Sequence, residues 1–211
     1  MYRIRITFSK FGKARWIGNL DLHRTWARIL RRAGVPIAYS QGFNPQPKMQ
    51  LASALPLGIM SECELLDIWV LETIATDSLQ NDLANGLPNG LEVIEIVEVE
   101  LKEKSLQSRL RAAEYVIELG DDIDIQVLQK MISDLLGMQS IIRQRRGKDY
   151  DMRALIQALD VVERDSMTPT LFVRFSACPG ATGRPGELLE YMGINAKSIN
   201  RTGLLFVDND D

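Results

Sequence analysis

The chain has two cysteines and a single histidine among 211 residues. Cys63 and Cys178 are far apart and fit no metal-ligand spacing, and with His23 they are too few for an all-Cys/His zinc site or an iron–sulfur cluster. No apolar run approaches the roughly 20 residues that span a bilayer. The opening MYRIRITF alternates charge with hydrophobe, as a strand does and a secretion signal does not. A cytoplasmic protein with reduced thiols is expected. The composition calls for no membrane, metal or cofactor.

Acid is the second scarcity, and it is local. The net charge is −3 and the sequence pI near 5.4, which argues against non-specific coating of nucleic acid. Yet residues 1–60 carry Arg3, Arg5, Lys10, Lys13, Arg15, Arg24, Arg28, Arg31, Arg32 and Lys48 against the lone acid Asp21. Residues 61–105 reverse the balance, with eleven acids against Lys102 and Lys104. The first block suits an anionic partner and the second does not.

Hydrophobic periodicity supplies the elements. Ile4, Ile6 and Phe8 alternate with Arg3, Arg5 and Thr7 over residues 2–8, a strand with one apolar face. Asn19 stands where an N-cap belongs, opening a helix to about Ala33 that stops at Gly34. Leu22, Trp26, Ile29, Leu30 and Ala33 share a stripe at 3.6 spacing, and Arg24, Arg28 and Arg31 fall opposite. A solvated helix back normally intersperses acids at i,i+4; this one has only Asp21, so a phosphate-facing ridge competes with the plain reading. Val35–Tyr39 is expected as a second strand. The stretch 40–58 contains Gly42, Pro45, Pro47, Pro56 and Gly58, which forbid a helix, and enough apolar residues to be an ordered loop, with a short strand near Met49–Ala52. A strand over Glu64–Glu72 that is apolar on both faces around Asp67 predicts cover on both sides. A helix over Ser78–Ala84 and a strand over Leu91–Val99 complete a β-α-β-β-α-β order, the ferredoxin-like arrangement.

The same order repeats after a charged connector, Lys102–Arg111. Strands are expected at Glu114–Leu119, Ser140–Gln144, Leu155–Arg164, Thr170–Ser176 and Gly203–Val207. Helices are expected at Asp124–Leu136, behind the dipole-favouring acids Asp121 and Asp122, and from Glu187 to Met192. The predicted fold class is α+β, two tandem ferredoxin-like halves with antiparallel sheets, over residues 1–104 and 112–211.

Candidate chemistry is sparse. His23 lies at the border of the apolar stripe without a sequence-near triad partner, which makes it a weak catalytic candidate and more plausibly a half-buried packing residue. Arg143, Arg145, Arg146 and Lys148, near Tyr150 and Arg153, are either a solvated hairpin tip or a backbone clamp for RNA. Gly180, Gly183 and Gly186 fit neither the P-loop nor the dinucleotide fingerprint and read as a turn into the helix that follows Pro185, with Arg184 a possible anion contact. Asp149 and Asp151 are two oxygen ligands in an Arg-rich loop, weak as a cation site.

At LDL (20–22), RRAG (31–34), AYSQGFNP (38–45), ALPLG (54–58) and KDYDMRALI (148–156) the chain resembles the radical-SAM-linked protein family, long catalogued as a domain of unknown function. Members of that family occur beside or fused to a radical-SAM protein, and sometimes fused to a ribonuclease of the E/G type. Where relatives often carry Ser-His before LDL this chain has Gly18-Asn19, and for Asn-Pro-His-Pro it has Asn44-Pro45-Gln46-Pro47, so a histidine at either place is absent. The acid-poor basic block, the ordered loop 40–58, the Arg143–Lys148 cluster and the fusion partners of the family it resembles together lead to the expectation of a non-catalytic RNA-binding accessory module, for tRNA or rRNA, that acts with a radical-SAM enzyme. Arg15, Arg24, Arg28, Arg31, Arg32 and Lys48 are the expected phosphate contacts, with Tyr39, Gln41 and Asn44 on base or sugar. A metal-independent RNA-processing endonuclease and a protein–protein adaptor without nucleic acid are the alternatives.

Overall fold

The structure, a computed structural model, describes residues 1–120, 123–162 and 169–207. It is a mixed α+β protein whose chain divides into two compact units. One comprises Met1–Arg109 with Val207; the other is Leu110–Phe206.

In the first unit the elements are β1 (Tyr2–Lys10), a 3-10 turn (Gly12–Trp16), α1 (Asn19–Arg32), β2 (Met49–Leu51), β3 (Met60–Val70), α2 (Thr76–Ala84), β4 (Leu91–Val99) and α3 (Leu106–Arg109). The sheet runs β4-β1-β3-β2, every neighbour antiparallel. Alternation decides its faces. Ile4, Ile6, Leu66, Ile68, Met49 and Leu51 point to one side and close over Leu22, Trp26, Ile29, Leu30, Leu79 and Leu83 of the two long helices. Phe8 meets the Trp26 ring edge-on at 4.9 Å, a favoured aromatic geometry.

The opposite face is charged and also covered. Arg3 and Arg5 of β1 stand beside Trp69 and Asp67 of β3. Asp67, fully buried, accepts from Arg3 Nε at 3.0 Å and Nη2 at 2.5 Å and from Arg5 Nε at 2.8 Å. The connector after β4 lies over them: Arg5 Nη2 reaches Glu103 Oε1 at 3.0 Å, Arg3 donates to the Glu103 and Lys104 carbonyls, and Arg109 pairs with the Glu103 carboxylate. The two-sided cover predicted around Asp67 is therefore helices on one side and residues 101–109 on the other.

Three expectations need correction. Arg3, Arg5 and Lys10 are not available to an anionic partner. The arginines hold Asp67, and the buried Lys10 ammonium donates to the Ile17 carbonyl at 2.9 Å. Asn19 does not cap α1: Gly18 occupies the cap, its carbonyl accepting the Leu22 N–H at 2.8 Å, with Asp21 left to favour the first turn. Residues 35–39 are not a strand. Pro36 has no N–H and the Ile37 N–H turns back to the Val35 carbonyl at 2.8 Å, so only isolated bridges, Ile37 to Val70 and Tyr39 to Pro47, form there. The second strand is Met49–Leu51 instead.

The second unit contains β5 (Leu110–Leu119), α4 (Ile125–Gly137), a separate hairpin of β6 (Ile142–Arg145) and β7 (Lys148–Asp151), then β8 (Ile156–Val162), β9 (Thr170–Cys178), β10 (Ala181–Thr182), α5 (Pro185–Met192) and β11 (Ala196–Phe206). Its sheet runs β8-β9-β5-β11, again antiparallel, with β10 on the end of β9. Tyr115, Ile117 and Leu119 are buried as their alternation predicts, and Asp124 caps α4 by accepting from the Gln126 and Val127 N–H groups at 2.8 and 3.2 Å. Asp121 and Asp122, expected to favour the same helix end, and the expected strand end at Glu163 and Arg164 lie outside the described residues.

Replacing Asp67 with Asn strips the buried arginine of its counter-charge. The expected loss is about 3–5 kcal/mol in urea denaturation, whereas Arg31→Ala on the exposed face of α1 stays within about 0.5 kcal/mol.

Candidate nucleic-acid interface

α1 positions the first candidate group. Because its apolar stripe is seated on the sheet, Arg24, Arg28, Arg31 and Arg32 are left in solvent. Arg24 pairs with the exposed Asp21 carboxylate at 3.3 Å, an i,i+3 surface contact of little energy. Arg28 donates through Nε to the Arg24 carbonyl at 3.4 Å. Among the described residues no carboxylate lies within ion-pair distance of Arg28, Arg31 or Arg32. Arg28 and Arg32, one turn apart, line a cavity of about 300 Å³ whose other walls are Thr25, Ile29 and the Asn85–Pro88 turn after α2. Two guanidinium groups and a hydroxyl around such a cavity suit an anion with several acceptor oxygens.

The loop beyond Tyr39 supplies the second group. Ser40 closes it, donating its N–H to the Gln46 carbonyl at 2.9 Å while its hydroxyl accepts the Gln46 N–H at 3.0 Å. The tip projects: Gln41, Phe43 and Asn44 are exposed, Phe43 completely, and Tyr39 is half exposed. Lys48 is exposed and sits 5.2 Å from the Trp69 ring centroid. The rest of the stretch turns inward, with Met49, Leu51, Ala52 and Leu55 buried. Arg15 lies over the Trp16 ring at 5.4 Å. His23 is half-buried on α1 and makes no polar contact among the described residues, so no partner prepares it as a base.

The second basic cluster belongs to the other unit and is largely answered internally. Arg145 grips Glu187 of α5 through Nε at 2.9 Å and through Nη2, and gives Nη1 to the Thr182 carbonyl at 2.9 Å. Tyr150 donates its hydroxyl to the same carboxylate at 2.6 Å and lies 4.5 Å under the Arg145 guanidinium. Arg143 pairs with Glu190 at 2.5 Å, and Arg153 ties down the Leu136 and Ile156 carbonyls. Arg146 and Lys148, at the hairpin tip, are exposed and have no carboxylate at ion-pair distance among the described residues. The sequence pattern missed this clamp because its acids come from a helix some forty residues downstream.

Asp149 and Asp151 are structural as well. Asp151 accepts from the Ile141 and Arg153 N–H groups at 2.8 and 2.9 Å, and Asp149 from the Gln144 side chain at 3.3 Å. The glycine run at 180–186 holds a turn at Pro179–Gly180, the short β10 and the entry into α5: a methyl on Gly183 would fall 2.3 Å from the Phe175 ring, so that residue is glycine for packing. Arg184 approaches Glu187 at 3.9 Å. Among the described residues no group of three His, Cys, Asp or Glu gathers where a metal could sit, and no helix is long and apolar enough to cross a membrane.

The sequence profile of a family described as uncharacterized proteins conserved in bacteria, DUF2344, matches residues 3–183. The chain belongs to that family. A comparison with curated proteins finds no match. Among solved structures the chain is similar to one in a Cbf5–Nop10–Gar1 complex, at 11% identity and a TM-score of 0.54, over 95% of this chain and 48% of that one. It is likewise similar to a chain of an archaeal box H/ACA sRNP Nop10–Cbf5 complex, at 11% identity and a TM-score of 0.50, over 96% and 48%. At that identity the likeness concerns the fold, and this DUF2344 chain spans about half the length of each.

The Glu187 clamp sets a pH window. Burial alone would raise the Glu187 carboxyl, but the hydrogen bonds from Arg145 and Tyr150 outweigh it and hold the group below its ordinary value. Burial, then the bond to Glu187, holds the Tyr150 phenol above its ordinary value against the pull of Arg145. A lowered acid stabilises above its unfolded pKa and fails as pH falls through the folded value; a raised phenol stabilises below its unfolded pKa and fails as pH rises through the folded one. Amide exchange should therefore show the β6–β7 hairpin anchored from about pH 5 to about pH 10 and released outside that range, with the acid limb absent in Glu187→Gln.

Proposed function

We propose that the chain is a non-catalytic RNA-binding module whose main contact surface is the exposed side of α1 and the 39–48 loop. The observation that carries this is the trio Arg28, Arg31 and Arg32, exposed and without carboxylate partners among the described residues, two of them at a cavity of about 300 Å³. Phosphate oxygens are the acceptors such a surface lacks. Tyr39, Gln41, Phe43 and Asn44, projecting beside Lys48, are the side chains suited to bases and sugars, by stacking and by hydrogen bonds. Arg146 and Lys148 form a minor contact in the second unit, Arg143 and Arg145 being held by α5.

The fold is compatible with such a role, since a chain of similar fold occurs in a complex named as an archaeal box H/ACA sRNP. We take both units as ferredoxin-like. Each has the β-α-β-β-α-β order and each sheet places its fourth strand beside its first and its third beside its second. The β6–β7 hairpin is then an insertion in the second repeat, and the boundary falls at Arg109/Leu110. Action beside a radical-SAM protein, and tRNA or rRNA as ligand, rest on the motif resemblance. The half-buried, unpartnered His23 gives no support to an endonuclease.

Fluorescence polarisation with total tRNA is expected to show saturable micromolar binding that weakens steeply with salt. The double variant Arg28→Ala/Arg32→Ala should lose roughly ten-fold or more in affinity and lower the salt slope by about 2, while His23→Ala changes nothing. Absence of saturable, salt-sensitive binding would remove the proposal.

A further inference from the structure

We infer that Trp16 is a stacking platform for an unpaired nucleobase, so that the first unit takes single-stranded rather than paired RNA; this rests on the RNA reading above. Trp16 ends the 3-10 turn after β1 and is 61% exposed, whereas Trp26 is fully buried and Trp69 half-buried. Its exposure is not looseness. A methyl on Gly58 would lie 3.1 Å from the six-membered ring of Trp16, so the chain passes the ring as closely as glycine permits, at a φ of +83° that also favours glycine. The Gly58 N–H donates to the Arg15 carbonyl at 3.0 Å, and Lys10 secures the next turn through the Ile17 carbonyl at 2.9 Å. Backbone contacts on both flanks thus hold a large apolar ring in water, which burial alone would remove.

The surroundings choose the occupant. The Arg15 guanidinium sits 5.4 Å from the ring centroid, and Lys13 is exposed in the same turn. Next to Gly58, the exposed Leu57 lies 3.9 Å from where a side chain on Gly18 would begin, with the Asp21 carboxylate 4.0 Å from the same point. Asp21 is the single acid of residues 1–60, and Arg24 pairs with it at 3.3 Å. The patch therefore runs from an aromatic ring into the first arginine of the α1 ridge, with its one negative charge answered. A base flanked by phosphates matches both parts, ring to ring and phosphate to Lys13, with the α1 ridge beyond. An apolar protein face would match the ring and Leu57 and leave the exposed Lys13 ammonium without an acceptor.

The test uses the full chain, a short single-stranded oligouridylate and an RNA duplex of equal length, followed by tryptophan fluorescence and polarisation. The single strand should quench emission saturably and the duplex should not. Trp16→Leu should abolish the quench and weaken single-strand binding roughly ten-fold, while Trp16→Phe keeps affinity within a few-fold because a π-face remains. Unaltered single-strand affinity in Trp16→Leu, or equal quenching by the duplex, overturns the stacking role while salt-sensitive binding still upholds the RNA reading. Emission that stays unquenched at saturating oligouridylate also overturns it. If the wild-type chain binds neither RNA, both fall.

Discussion

A buried carboxylate between two arginines organises the first unit. Asp67 lies within β3, the longest strand of the first unit, out of contact with water, where a carboxylate without partners would carry a heavy desolvation cost. Arg3 and Arg5 neutralise it from the adjacent strand at i and i+2, the spacing that puts both on one face. Their remaining N–H groups need acceptors, and the connector after β4 brings Glu103 and two backbone carbonyls to meet them. Placing three charges on the sheet thus dictates the path of residues 101–109. With one sheet face given to ion pairs, the apolar face is left entirely to the two long helices. The seating of α1 on that face is what turns its arginines outward.

Much of this was legible in the chain. Alternation in β1 and the 3.6-residue stripe of α1 located those elements closely, because each is long enough for its period to register, and the strands expected at Leu91–Val99 and Thr170–Ser176 correspond to β4 and β9. The apolar strand around Asp67 announced two-sided cover. What did not register were short or non-local features. β2 has three residues, too few for a period, and was expected only as a short strand inside the 40–58 loop, while the strand expected over 35–39 is broken at Pro36. Arg3 and Arg5 looked like half of an alternating, water-facing row, and only the connector laid over that row shows otherwise. Gly18 as the cap of α1 is invisible to a rule that seeks a side-chain oxygen.

The candidate surface was legible in part for the same reason. The helix ridge follows from periodicity and from missing acids, both local facts. The clamp at Arg145 follows from Glu187 and Tyr150, which meet only through the fold, and it reassigns half of the second cluster from solvent to structure. Trp16 gave no signal at all: a single aromatic in a turn has no period, and its exposure depends on Gly58, forty-two positions away.

The chain leaves the first unit at Arg109 and comes back at Val207, and the two residues are joined twice, by the Val207 N–H to the Arg109 carbonyl at 3.0 Å and by Arg109 Nε to the Val207 carbonyl at 3.0 Å. They are 98 positions apart. Closing a span of that size while it is still a random coil carries an entropic penalty that grows as about (3/2)RT ln n. Prior collapse of the intervening residues shortens the effective tether and removes most of that penalty. The order of events favoured by the topology is therefore inside-out, with the intervening stretch condensing first and the seam at Arg109 zipping afterwards.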